Sequence, residues 1–166
     1  MSRCMLIAAV VGCSWVAATA CWADEKVPLD KVPEKIMGAV KGRFSEPELL
    51  SVEKETEDGN IVFDVELKEK GRKFEMDVKE DGTIIEIEKQ IAVKDFPEAG
   101  VKAVEAKYPQ ATIAEIMEVD KVQGKTETSD HYELLLELAD KKTHEVVVSL
   151  DGKAVTEEQE ETTAKK

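Results

Sequence analysis

The sequence predicts an α+β protein built from two αββββ units, each an antiparallel sheet covered on one face by a helix. Three observations carry that prediction. Residues 29–44 (LDKVPEKIMGAVKGRF) align without gaps to 93–108 (VKDFPEAGVKAVEAKY), and FEMDVKEDG (74–82) returns as HEVVVSLDG (144–152). A period this long marks two copies of one supersecondary unit. Within each copy the apolar spacing changes from about 3.6 to 2, the passage from helix to strands. Turn dipeptides then divide the strand region at regular intervals.

Residues 1–23 form a leader. Arg3 supplies the positive start, Met5 to Ala20 is apolar or small, and Cys21-Trp22-Ala23 offers small residues at −3 and −1 before Asp24, the pattern of a secretory signal peptide. Two rivals stand beside cleavage after Ala23. Gly12-Cys13 and Ala20-Cys21 both end in an acylatable cysteine, which would give a lipid anchor, and Met5 to Ala23 carries no charge, which would suit an uncleaved span of marginal length. All three cysteines and both tryptophans lie in this leader. The mature chain therefore has no thiol chemistry and no disulfide, and a packed core must stabilise it.

The first unit occupies 24–90. Asp24 to Pro28 reads as an exposed linker, and Val32, Ile36, Val40 and Phe44 fall four apart on one helical face. Alternating strands follow around Leu50-Val52, Ile61 to Leu67, Phe74 to Val78 and Ile85-Ile87. Asp58-Gly59-Asn60, Lys70-Gly71 and Asp81-Gly82 supply the turns. The second unit occupies 91–158. Phe96, Val101, Val104 and Tyr108 line its helix, Asp95 and Glu98 form a capping-box pattern, Pro97 sits in the first turn and Pro109 ends the helix. Its strands are Ile113 to Val119, Tyr132 to Leu138, His144 to Val148 and a short one around Val155. Lys121 to Asp130 is a polar inserted loop, and 159–166 a frayed tail.

Strict alternation leaves one sheet face wet. Two-residue turns at Lys70-Gly71 and Asp81-Gly82 would set Asp64, Asp77 and Glu86 in one row across three strands, and Glu66, Glu75 and Glu88 in another. Neighbours in such rows stand about 5 Å apart, and like charges directly opposite cost roughly 0.2–1 kcal/mol per pair. The equivalent rows in the second unit are Leu135-Val147-Thr156 and Glu137-Glu145-Glu158. The ordinary reading is a solvated face; the functional one is a docking surface for a basic partner or a cation, with Leu135 and Val147 as its apolar contact.

The net charge of −13 excludes nucleic acid, and anionic membrane surfaces too, as partners. Catalysis finds few candidates. His131 and His144 sit at opposite ends of one hairpin, on the order of 20 Å apart, and can share neither a metal nor a proton. His144 reads as a core-edge residue and His131 as a solvated strand end. No nucleophile elbow and no phosphate-cradling loop occurs. Asp77, Asp81, Gly82 and Glu88 match four positions of a calcium loop, but Lys79 stands where a ligand is required and the flanks alternate as strands. No catalytic residue, metal site or cofactor is expected.

The αββββ pattern, the helix bounded by Phe96-Pro97 and Tyr108-Pro109, the strand HYELLLEL and the closing SLDGK together resemble the PepSY-like family, also described as β-lactamase-inhibitor-like. The resemblance covers about residues 29–158. It implies export to the periplasm or beyond, tandem units, and a non-enzymatic binding or inhibitory role, sometimes toward peptidases. With no Cys or Trp after the leader, and only Tyr108 and Tyr132, inhibition of a β-lactamase itself does not carry over. The expected protein is a monomer with no integral span after leader cleavage, engaging an exported partner such as a hydrolase. The alternative is an acidic cation-binding or envelope-stabilising protein without a dedicated target.

Overall fold

The computed structural model describes residues 25–57 and 59–157. The leader with its signal and lipid-anchor alternatives, Glu158 and the tail at 159–166 lie outside the described residues. Strand β1 (Glu25–Lys26) and a short 3-10 turn precede helix α1 (Glu34–Arg43). Four strands follow: β2 (Glu48–Glu57), β3 (Asn60–Glu69), β4 (Arg72–Lys79) and β5 (Ile84–Gln90). A second 3-10 turn leads to helix α2 (Glu98–Lys107) and to β6 (Thr112–Gln123), β7 (Thr126–Glu137), β8 (Thr143–Ser149) and β9 (Val155–Glu157).

The strands do not form two sheets. They make one nine-stranded antiparallel sheet in the order β1 to β9, because β5 pairs with β6 from Glu86 opposite Lys121 to Gln90 opposite Met117. An unpaired β5 or β6 would leave a row of backbone donors and acceptors, and the joint removes both edges.

Both helices lie on the same face. On β5, Ile87 belongs to the core under α1, and it stands opposite Asp120 on β6. Along β6, Asp120 shares its face with Ile116, a core residue under α2, and with Val122, which packs on the first core. Under α1, Ile36 and Val40 pack with Val52, Val65, Leu67, Met76 and Val78. Under α2, Phe96 and Val104 pack with Ile116, Leu134, Leu136, Val146 and Val148. Between the two cores this face is polar. Lys89 donates to Asp120 at 2.8 Å, Ser129 donates to Asp120 at 2.7 Å, and Glu118 lies 3.4 Å from Lys89.

Three local expectations are corrected. The segment read as a linker at Asp24 to Pro28 contributes β1, whose Glu25 and Lys26 stand opposite Lys54 and Glu53. The segment read as a loop at Lys121 to Asp130 is the end of a long hairpin. Gly124 at φ +63° makes its turn, Val122 reaches the first core, and Arg43 of α1 bonds Glu127 at 2.9 Å. Asp95 does not cap α2. Pro97 is the cap residue, and the residue before a proline is driven to extended backbone, so Phe96 (ψ 144°) separates Asp95 from the helix. The Pro97 carbonyl opens the helix instead, accepting from Gly100 at 2.8 Å.

The helix N-termini are fixed by close backbone approaches. A Cβ on Gly100 would lie 2.5 Å from the tip of the Phe96 ring, and one on Gly152 would lie 2.5 Å from the Gly100 nitrogen. Gly152, at φ +71°, thus seats the β8–β9 turn directly on α2.

Candidate docking face

The face away from the helices carries the candidate site residues, and no element covers it among the described residues. Antiparallel pairing across β2, β3, β4, β5 and β6 builds one row from Glu53, Asp64, Asp77, Glu86 and Lys121. The next row runs Ser51, Glu66, Glu75, Glu88, Val119, His131 and Ser149. Lys70 (φ 52°) and Gly71 (φ 80°) form the two-residue turn that sets the β3–β4 pairing.

In the second half the faces are as expected but the pairs differ. Leu135 stands opposite Glu145, Val147 opposite Glu133 and Thr156, and Glu137 opposite Thr143. The β7–β8 turn is the cause. Lys141 adopts φ 69°, and Leu138 accepts from Lys141 while donating to the Lys142 carbonyl. That moves the pairing by two residues, which preserves the face. A row of Leu135 with Val147 and a row of Glu137 with Glu145 are therefore absent, and Glu137 is engaged by Lys141 at 2.6 Å.

The carboxylates are unequally compensated. Lys73 bridges Glu75 at 2.8 Å, Glu66 at 3.1 Å and Glu115 at 3.5 Å. Ser51 also donates to Glu66 at 2.7 Å, and that bond, with the Lys73 contact, holds the Glu66 carboxyl below its usual range. Burial alone would depress the Lys73 ammonium, but its bonds to Glu75 and Glu66 push it well up. Glu86, only 9% exposed, pairs with Lys121.

Between these clamps the charge is unbalanced. Burial, then the charges of Glu75, Asp77, Glu55 and Glu53, push Asp64 up to about 8. Burial, then Glu133, Glu75, Asp77 and Asp64, push Glu88 up to about 9. Oxygens of Glu86, Glu88 and Glu133 come within 4.8 Å of one another, although Lys121 already engages Glu86 and His131 engages Glu133 at 2.9 Å.

Beyond β5 the face turns apolar. Val119 is fully buried, Met117 is 6% exposed, and Leu135 and Val147 are half-buried beside them. The sequence reading did not single out Lys73, Lys121, Met117, Val119 or Glu133. Glu133 was legible, because it shares its alternation with Leu135 and Glu137. His131 is not a plain solvated strand end: its bonds to Glu133 and Asp130 raise its pKa despite partial burial. His144 lies on the opposite, helix-bearing face, its ring 5.3 Å from that of Tyr108.

The fold, as distinct from the site, has a solved counterpart. A DUF2874 family protein from Bacteroides uniformis superposes with a TM-score of 0.54 at 12% identity, over 75% of this chain and 88% of that one. A BLIP-like protein from Bacteroides fragilis gives a TM-score of 0.48 at 13% identity, over 75% and 82%. The chain shares the fold of the DUF2874 protein. No family model and no curated protein matches the sequence. Among the described residues no helix is long and apolar enough to cross a membrane.

Proposed function

We propose that this protein is an exported, non-enzymatic binding module that docks a basic surface of another exported protein on its open sheet face, restraining a peptidase or other hydrolase. One observation carries the reading: an uncovered face on which two acidic rows run toward the half-buried apolar side chains of Leu135 and Val147. Charge at the rim would steer a cationic partner, and these apolar side chains would supply contact area. The leader supports export, and the separation of His131 from His144 on opposite faces supports a role without catalysis.

The chain is also read as two tandem PepSY-like units, 24–90 and 91–158. Support comes from the recurring element order and from Gly82 and Gly152, which approach the backbone of Lys35 and of Ala99-Gly100, neighbouring places in the first turns of the two helices. Titration calorimetry with a nonalysine peptide tests the docking reading. Expected is salt-sensitive binding that weakens about tenfold in Glu75→Gln/Asp77→Asn. No heat at low salt, or full affinity in the double variant, would remove it. Heat with calcium but none with the peptide would favour the cation-binding, envelope-stabilising alternative.

A further inference from the structure

We propose that the open face makes this fold a pH-sensitive switch, tight in mildly acidic surroundings and loosened at its β3–β4–β5 centre when Asp64, opposite Asp77, and Glu88, opposite Glu75, ionise. This goes beyond the docking reading and needs no partner.

The geometry supplies the repulsion. Asp64 on β3 stands directly opposite Asp77 on β4 and Glu53 on β2, with Glu55 one place further along the same face of β2. Glu88 on β5 stands directly opposite Glu75 on β4, and Asp77 stands opposite Glu86. From β7, Glu133 approaches both Glu86 and Glu88 within 4.8 Å. Facing carboxylates in such pairs have Cβ atoms about 5 Å apart.

The cations on this face are already engaged by carboxylates other than Asp64 and Glu88. Lys73 is bound by Glu66, Glu75 and Glu115, Lys121 by Glu86, and His131 by Asp130 and Glu133. Lys79 stands opposite Val62 at the far end of β4, exposed, and Lys68 stands opposite Lys73. The β4–β5 ladder is already irregular beside the crowded carboxylates, where the pairing slips between Asp77 and Val78. In the second half Leu135 and Val147 take the places of Asp64 and Asp77, while Glu145 stands opposite Leu135 and Glu137 opposite Thr143, so no facing pair of carboxylates recurs there.

The direction follows from linkage. A carboxyl whose pKa is raised by folding keeps a proton that the unfolded chain releases, so stability falls as pH climbs from the ordinary carboxyl range near 4 toward the folded value. For Asp64 and Glu88 that window extends to about 8 and about 9. His131, raised in the fold, contributes stability at acid pH and loses it as pH rises through its folded value, in the same direction. Glu66 and Asp120 are lowered, so their contribution disappears in strong acid. The optimum lies between these limits, in mild acid.

The test is urea unfolding of the full mature chain, followed by circular dichroism at pH 5.5 and pH 8.5. The wild-type midpoint should fall by roughly 1 M or more between the two, and Asp64→Asn/Glu88→Gln should abolish most of that fall. A wild-type midpoint that stays level or rises, or a double variant with an unchanged fall, overturns the proposal. Should the variant not fold, carbon-13 titration of the wild-type side-chain carboxyls decides. Midpoints for Asp64 and Glu88 near neutrality or above support the switch, and midpoints near 4 overturn it.

Discussion

Phe96 and Gly100 fill one space between them. In the sequence alignment they correspond to Val32 and Ile36, so a large side chain on the turn and none on the helix replace two medium ones. The ring tip lies where a Cβ at 100 would be, and Phe96 is itself held edge-on against Tyr132 with centroids 5.0 Å apart. Alanine at position 100 gains about 1 kcal/mol of helix propensity, but overpacking a buried ring costs about 1–3 kcal/mol. Gly100→Ala should therefore lower the urea midpoint. Gly152→Ala should lower it further, since its methyl group meets backbone and its φ is positive. Asp120 gives a polar counterpart at this scale. It is 5% exposed, and although burial raises its carboxyl, the bonds from Lys89 and Ser129 win and hold it low. Asp120→Ala should cost about 1–3 kcal/mol, because Lys89 is left short of a partner in a half-buried seam. Equal midpoints for wild type and Asp120→Ala would show that Glu118 alone satisfies Lys89. The pairing of Asp64 with Asp77 was legible from turn position alone; that of Glu75 with Glu88 also takes a bulge between Asp77 and Val78, because the turn at Asp81-Gly82 is not a plain two-residue one and sets Val78 opposite Ile84. Lys73 was not, because its long side chain crosses between rows, and pattern arguments fix where a residue starts rather than where its charge ends.

At the scale of elements, the β6–β7 hairpin shows what alternation can hide. KVQGKTETSD reads as a polar loop, yet β7 begins at Thr126 and β6 runs to Gln123, with only two residues between. Val122 is the sole large apolar residue there, too little for a periodic signal, and its partner is a core 30 or more residues earlier in the chain. Val122→Ala should cost about 1 kcal/mol through lost burial. Arg43→Ala, which breaks an ion pair exposed on both sides, should cost well under 1 kcal/mol. A larger loss for Arg43→Ala than for Val122→Ala would mean that charge, and not packing, holds the hairpin against α1. The β7–β8 pairing was misjudged by two residues for a related reason. The left-handed backbone at Lys141 decides the loop, and lysine does not advertise that conformation as glycine does at Gly71, Gly82 or Gly124.

For the whole molecule, the fold class and the two helix-backed cores were readable, whereas the single sheet was not. Joining β5 to β6 requires pairing between strands 31 or so residues apart, and alternation within either strand says nothing about its neighbour. The joint has an energetic consequence. Backbone pairing, the Lys89 seam and Arg43 with Glu127 all cross it. The chain from Asp24 onward should therefore unfold in one cooperative transition, with far-ultraviolet dichroism and tyrosine fluorescence tracing the same curve. Two resolved transitions would mean that the halves behave as separate domains.

An open sheet has two ends, and here both are closed by stubs: β1 covers only part of β2, and β9 only part of β8. Among the described residues, bare rungs therefore remain at Glu48 to Ser51 on one border and at Thr143 to Glu145 on the other, each bearing a glutamate. Glutamates on both borders would set like charge against like charge wherever one border met another. Strong acid erases that repulsion, so concentrated protein held there would be the place to look for ribbons of chains joined end to end.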